Sequence, residues 1–200
     1  MSRIDPERMI QTDLLKIELT DELSGGLILD IGGGGEGIIG KIYGRDVVAI
    51  DPRLDELEES VNDAVKVEMS ACDLRFTADS FDAATSFFTM MYIDPDDIRL
   101  AAAEIMRVLK PGGRLEIWDT EIPAYDGGGR DIFLLNLEVG LPEKSAAGGG
   151  FVTTGYGVGL RKDAQNAASL ADLFTSAGFI LESDSELGGG LFRLSLRKGQ

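Results

Sequence analysis

Asp30 and Asp51 are the residues of this chain best placed to do chemistry. The apolar run Leu27-Ile28-Leu29 ends in Asp30, and glycines follow at 32, 33, 34, 35 and 37. A second apolar run, Val47-Val48-Ala49-Ile50, ends in Asp51-Pro52. The second acid follows the glycine turn by roughly 20 residues, the spacing of a strand, tight turn, helix and second strand that hold a nucleotide-like cofactor. Glycine lets the backbone approach the ligand closely, and the acid at the second strand's tip accepts hydrogen bonds from ribose hydroxyls.

Gly32, Gly34 and Gly37 also satisfy the dinucleotide pattern G-x-G-x-x-G. A dinucleotide lays its pyrophosphate over this turn, where a helix N-terminus favours anions. Asp30, two residues before the first glycine, would repel it. The same carboxylate attracts the ammonium and sulfonium of S-adenosylmethionine. The bland alternative is a glycine turn with no ligand. The coincidence of a strand, these glycines and a second acid argues against that.

Two hundred residues suit a single domain, 1–200, with a small insertion, and 44% hydrophobic content is enough for a core. The apolar runs are short, so no transmembrane helix and no membrane partner is expected. The charged start Met-Ser-Arg-Ile-Asp-Pro-Glu-Arg lacks the apolar region of a signal peptide. A lone cysteine, Cys72, allows no internal disulfide and suits a cytoplasmic location. The net charge of −16 repels phosphate backbones, which argues against nucleic acid as a partner. With no histidine in the chain, a general base must be Asp, Glu, Tyr, Lys or Cys, and His-ligated metal sites are ruled out.

The elements that must position these residues follow from periodicity. Met9, Ile10, Leu14 and Ile17 recur at helical spacing, which predicts an amphipathic helix over about 5–23, capped by Asp5-Pro6 and ended by Ser24-Gly25-Gly26. It would pack on the sheet or lie over the cofactor as a lid. Strands are expected at about 27–31, 46–50, 65–69, 81–88 and 114–118. Helices are expected at about 36–43, from 55, and at 96–109, with a Lys110-Pro111-Gly112-Gly113 turn before the fifth strand. Alternation of this kind implies a parallel sheet covered on both faces. Residues 120–162 break the pattern. Two β-prone runs, 132–141 and 151–160, read as an inserted β-hairpin, either a lid on the acceptor or the interface of a homodimer through 131–160. Phe133, Leu135, Leu137 and Val139 alternate only partly, which suggests burial of both faces. A helix at 167–177 and a closing antiparallel hairpin, 179–187 with 191–197, complete the chain.

These pieces resemble the class I S-adenosylmethionine-dependent methyltransferases, particularly the small-molecule type. The resemblance covers about Leu27 to Trp118 and resumes near Leu170. It rests on Leu29-Asp30-Ile31-Gly32-Gly33-Gly34, Ile50-Asp51-Pro52, Cys72-Asp73-Leu74, Phe81-Asp82 to Ile93, and above all Leu109-Lys110-Pro111-Gly112-Gly113. It implies a Rossmann-like seven-stranded, mostly parallel α/β sheet with an antiparallel C-terminal hairpin. It also implies residue roles. Asp30 and the Gly32 and Gly34 backbone, with Gly33 in the turn, would hold the methionine end, and Asp51 the ribose. Asp73 would accept the adenine amino group and Leu74 would offer its backbone amide. Ser86 and Phe87 would line the methyl region. Bland readings stand beside these: Asp51 or Asp73 as a cap, Phe87 and Phe88 as core. The chain departs from the family at Glu36, where a third glycine is usual. It also lacks the Asn/Asp-Pro-Pro-aromatic signature of adenine and glutamine methylation at Ser86-Phe87-Phe88-Thr89.

The implied reaction is direct transfer of a methyl group to a small-molecule acceptor. Asp119 and Glu121 are candidate bases, with Tyr92 and Tyr125 as positioning hydroxyls; no metal cluster is visible. Two other classes compete. A non-catalytic S-adenosylmethionine-binding module would keep the three acids with its acceptor pocket filled. A nicotinamide-dependent oxidoreductase is disfavoured by Asp30 and by Leu109 to Gly113.

Overall fold

The computed structural model describes residues 5–23 and 25–200. The charged start of the chain and the Ser24 position in the predicted helix stop therefore lie partly outside the described residues. Seven strands form the main sheet: β2 (Ile28–Ile31), β3 (Val47–Asp51), β4 (Val65–Glu68), β5 (Phe81–Phe87), β6 (Leu109–Thr120), β9 (Ile180–Gly188) and β10 (Leu191–Arg197). Their order is β4-β3-β2-β5-β6-β10-β9. Every neighbouring pair is parallel except those of β10, which runs antiparallel to both β6 and β9. This is the expected sheet. Its order reverses between β2 and β5, where open α/β sheets leave a ligand crevice at the strand tips.

Four helices join the strands: α1 (Ile38–Tyr43), α2 (Leu54–Glu59), α3 (Pro95–Val108) and α4 (Ala167–Ser176). α3 starts at a proline, with Asp96 and Asp97 in its first turn where the helix dipole favours negative charge. It buries Ile98, Ala101, Ala102, Ile105 and Val108 along one stripe. α4 is held by a capping box between Asn166 and Ser169. Leu170 and Phe174 of α4 share a core with the α3 stripe, Leu29, Ile31 and Ala84, on one face of the sheet.

The other face corrects the sequence reading. The predicted helix over 5–23 is instead a three-residue 3₁₀ turn, Pro6–Arg8, followed by a ten-residue strand, β1 (Met9–Glu18). The Asp5 cap is real, its carboxylate accepting the Glu7 N–H at 3.0 Å. β1 pairs in parallel with β7 (Ile132–Leu141), which pairs antiparallel with β8 (Gly150–Gly159). The two β-prone runs thus form the expected hairpin, and β1 makes it a three-stranded sheet. This sheet packs on the main one through Ile17, Phe133, Leu135, Leu137 and Val139, together with α1 residues Ile38, Ile39 and Ile42. β7 buries one face rather than both: Leu134, Asn136 and Glu138 alternate outward, half-exposed.

A smaller correction concerns Lys110 to Gly113. This stretch lies within β6 as an irregularity, with Phe81 opposite Leu109 but Ala83 opposite Arg114. Gly112, at φ 75°, supplies the left-handed step that absorbs the extra residues.

Candidate cofactor and acceptor cleft

The glycine turn after β2 is held from two sides. The N–H groups of Gly32 and Gly33 donate to the Ile50 carbonyl at 2.8 and 3.0 Å, and that of Gly35 donates to the Glu56 carbonyl at 2.8 Å. Gly32, Gly35 and Gly37 have φ of 71°, 58° and 57°, which side-chain-bearing residues rarely adopt. The positive φ values at Gly35 and Gly37 place the turn's later glycines around Glu36, shifted from the usual spacing. Gly33 and Gly34 are constrained by space. A Cβ at Gly33 would lie 2.6 Å from the Asp30 carboxylate, and one at Gly34 would lie 3.1 Å from that of Asp51.

The turn opens onto a cavity of about 920 Å³ at the strand tips. Asp30, Gly32, Gly33, Gly34, Asp51, Pro52, Cys72 and Phe87 line it, so most of the predicted site residues converge. Asp30 is buried and its carboxylate accepts the Thr85 hydroxyl at 2.8 Å across the β2–β5 switch point. Burial pushes its pKa up to about 7, against the lowering effect of Thr85. A buried carboxylate with a single hydrogen-bonding partner among the described residues fits a cationic ligand. Asp51 is half-buried, and burial raises its pKa as well. One of its oxygens accepts the Arg53 N–H at 2.9 Å, so the capping role is present beside the proposed ribose role.

Three predicted site residues fall elsewhere. Asp73 is exposed and faces Arg75 at 3.4 Å. The Leu74 N–H donates to the Glu104 carboxylate at 2.9 Å, so it is not free for a ring. Met69, Ser70 and Ala71 line the cavity in their place. The signal for them was adjacency to the strand end: β4 stops at Glu68, and the Asp73 N–H returns to the Ser70 carbonyl at 3.2 Å, carrying the chain away from the tip. Ser86 is fully buried, and alternation along β5 puts it on the face of Ala84, under α3. Its hydroxyl has no partner among the described residues. The Gly32 N–H is likewise committed to Ile50.

Neither candidate base reaches the cavity. Asp119 is fully buried and accepts N–H groups of Met91, Thr120 and Gln165 at 3.1, 2.8 and 2.9 Å. It clasps the end of β6 to its neighbours, and burial pushes its pKa up to about 7. Glu121 and Tyr125 are exposed outside the cavity, whereas Tyr92 lines it.

Sequence reasoning missed the far wall. Gly155, Tyr156 and Gly157 of β8 line the cavity, as do Glu36, Phe88 and Thr89. Tyr156 stacks on Phe88 with ring centroids 5.3 Å apart and planes 11° apart. Phe88 holds φ at 51°, an uncommon conformation for a bulky residue. The signal in the sequence was the alternation Gly155-Tyr156-Gly157, a single large side chain between two positions with none.

The fold and this cleft place one large cavity at the tips of β2, β3 and β4. Residues 29–117 match the family model described as a methyltransferase domain. The chain is 28% identical over 190 residues to a demethylmenaquinone methyltransferase of Renibacterium salmoninarum, covering 90% of this chain and 77% of that protein. It is similar in structure to an S-adenosylmethionine-dependent methyltransferase from Methanosarcina mazei, with a TM-score of 0.57, 17% identity, and coverage of 92% of this chain and 99% of that one. A second such enzyme, from Mesorhizobium loti, aligns with a TM-score of 0.58 and 15% identity over 89% of this chain and 93% of that one. The chain thus carries a match to the methyltransferase domain over residues 29–117 and has the fold of S-adenosylmethionine-dependent methyltransferases, a likeness that points to S-adenosylmethionine as its cofactor. No helix among the described residues is long and apolar enough to cross a membrane.

Proposed function

We propose that the enzyme methylates a small molecule by direct in-line transfer. The observation that carries this reading is the size and shape of the cleft. Pockets for small ligands span about 300–1,000 Å³. At about 920 Å³, this one has room for the cofactor and a compact acceptor together, closed on the far side by Tyr156. The relative from Renibacterium salmoninarum, named for a small-molecule acceptor, agrees with it. The net charge of −16 disfavours nucleic acid as acceptor.

S-adenosylmethionine, when bound, supplies an electrophilic methyl group on a sulfonium. The chain's part is to bind, orient and exclude water. Asp30 balances positive charge at the methionine end, and Asp51 accepts the ribose hydroxyls. Pro52 shapes that end, while Ser70, Ala71 and Cys72 flank the adenine. Phe87 and Phe88 keep the methyl region dry. Residues 120–162, inserted within the one domain, supply the wall through β8. That strand is also a free edge without charge or proline, through which two copies would pair. The lone free cysteine is in keeping with a cytoplasmic setting.

Calorimetry with S-adenosylmethionine, S-adenosylhomocysteine and NAD, followed by release of S-adenosylhomocysteine in a fractionated metabolite extract, tests the reading. Binding of the first two with turnover by a low-mass fraction is expected. Binding without turnover by any fraction would leave a cofactor-binding module instead.

A further inference from the structure

We propose that the acceptor is an amine, cationic in solution, recognised by the Glu36 carboxylate beside Tyr92 and Tyr156, and that the reaction is N-methylation. The inference rests on the methyltransferase reading above and gives it a substrate class.

Glu36 has no part in the cofactor roles assigned to Asp30 and Asp51. It interrupts the glycine turn and reaches across to the inserted sheet, where one of its oxygens accepts the Thr154 hydroxyl at 2.5 Å. The other oxygen has no hydrogen bond among the described residues, and the residue lines the cavity. Around it stand aromatic groups. Tyr156 stacks on Phe88, and the Phe87 ring meets Phe88 edge-on at 4.8 Å. Tyr92 completes the wall. A carboxylate beside aromatic rings suits an ammonium group, held by charge and by the ring faces.

Acceptors of other kinds find less. Arg53 is the sole lysine or arginine among the lining residues, and it is already paired with Asp55 and Glu56 at 2.5 and 2.8 Å. An acidic acceptor therefore has no free cation to meet. A phenol or carbon acid must lose a proton to become nucleophilic. The chain has no histidine and Asp119 is clasped away from the cavity, which leaves lining carboxylates such as Asp94 and Asp97, a class of group ordinarily too weakly basic to deprotonate a phenol or carbon acid. Burial pushes the Tyr92 hydroxyl up to about 12 and raises that of Tyr156 further, so neither is a base near neutrality. An amine carries its own lone pair. Its ammonium form first gives one proton to water at the cleft mouth. The free nitrogen then bonds to the methyl carbon as the carbon–sulfur bond breaks, and that electron pair stays on sulfur as a neutral thioether. The product is a methylated ammonium.

The test is calorimetry on the intact protein saturated with S-adenosylhomocysteine, using phenethylammonium, 2-phenylethanol and 3-phenylpropanoate as probes. Phenethylammonium should bind at least 10-fold more tightly than either of the others. Glu36→Gln keeps an oxygen for Thr154 and removes only the charge, so it should erase that preference while leaving S-adenosylhomocysteine affinity within about twofold. Thr154→Val keeps the carboxylate, and the preference should survive it. Equal binding of the three probes, tighter binding of the alcohol or acid, no binding of any, or a preference unchanged in Glu36→Gln would each overturn the amine assignment. Failure to bind S-adenosylhomocysteine at all would instead sink the reading beneath it.

Discussion

The Thr154 hydroxyl and the Glu36 carboxylate, 118 residues apart in sequence, meet at 2.5 Å. The bond ties the glycine turn of the cofactor site to the edge strand of the inserted sheet. Two further ties run alongside it. Arg161, just beyond β8, donates to the Ile93 carbonyl at 2.8 Å and faces Asp94 at 3.4 Å. The inserted sheet is therefore fastened to the strand tips as a wall.

Removing the first tie should be felt at both ends. A hydrogen bond to a charged group contributes about 1.5–3 kcal/mol, and a half-buried one sits at the low end. Thr154→Val should lower stability by about 1–1.5 kcal/mol and weaken S-adenosylmethionine binding several-fold. Denaturant melts and calorimetry read the two effects. Unchanged cofactor affinity would mean that β8 and the turn are energetically independent.

Asp51 gives a second expectation. Asp51→Ala should weaken cofactor binding by about 1.5–3 kcal/mol, and Asp51→Asn by less, because the amide oxygen still accepts. The same carboxylate caps the turn to Arg53 at 2.9 Å, so stability must be measured beside affinity. A loss of melting temperature with the dissociation constant untouched would reduce Asp51 to its capping role.

Much of this was legible in the sequence because strands that end in a charge announce their tips. Asp30 and Asp51 each close an apolar run, and both line the cleft. Beyond β4 the cavity is lined by Met69 to Cys72, about three residues ahead of Asp73 and Leu74, because the strand's own end at Glu68 sets the geometry while Cys72-Asp73-Leu74 carried the resemblance. β1 was misread because Met9, Ile10, Leu14 and Ile17 fit a helical period. The better signal was the alternation Leu15-Lys16-Ile17-Glu18-Leu19, in which Ile17 and Leu19 are buried and both charges are exposed. The irregularity between Gln11 and Leu14 breaks the period of two and leaves Leu14 48% exposed. Its partner, β7, lies more than a hundred residues downstream, so no local pattern could name it.

Burial of Asp30 and Asp119 sets a pH dependence. Each holds its proton up to about pH 7 when folded, against an ordinary carboxylate value of 3.8. Between these limits the folded chain binds more protons than the unfolded one, so stability falls as pH rises from about 4 to about 7 and levels off above. Paired carboxylates such as Asp82 beside Lys110 and Glu104 beside Arg107 act in the opposite sense: their stabilisation is lost as pH drops below about 4. Urea midpoints measured from pH 4 to 8 should therefore peak near the acid end. Asp119→Asn should flatten the fall, at the cost of one backbone hydrogen bond. A wild-type midpoint that climbs across this range would contradict the assignment of both acids.

The connection between β7 and β8 decides whether the insertion is a wall or a lid. Pro142 to Gly149 fold into a compact loop, with the Ser145 hydroxyl accepting the Gly149 N–H at 3.0 Å. The loop does not hang over the cleft. The N–H groups of Ala146 and Ala147 donate to the carbonyls of Ile42 and Lys41, each at 2.9 Å, at the far end of α1. Those carbonyls close the helix that follows the glycine turn, and loose helix ends are costly when their groups go unpaired. Replacing Pro142 to Gly149 by Asn-Gly, a two-residue turn suited to a hairpin, should then lower the melting temperature and weaken S-adenosylmethionine binding together. A lid would behave otherwise, keeping cofactor affinity and losing only transfer to the acceptor. Light scattering on the same variant separates the remaining role: a dimer that becomes a monomer with cofactor affinity intact would make the segment an interface, and the wall reading would fail.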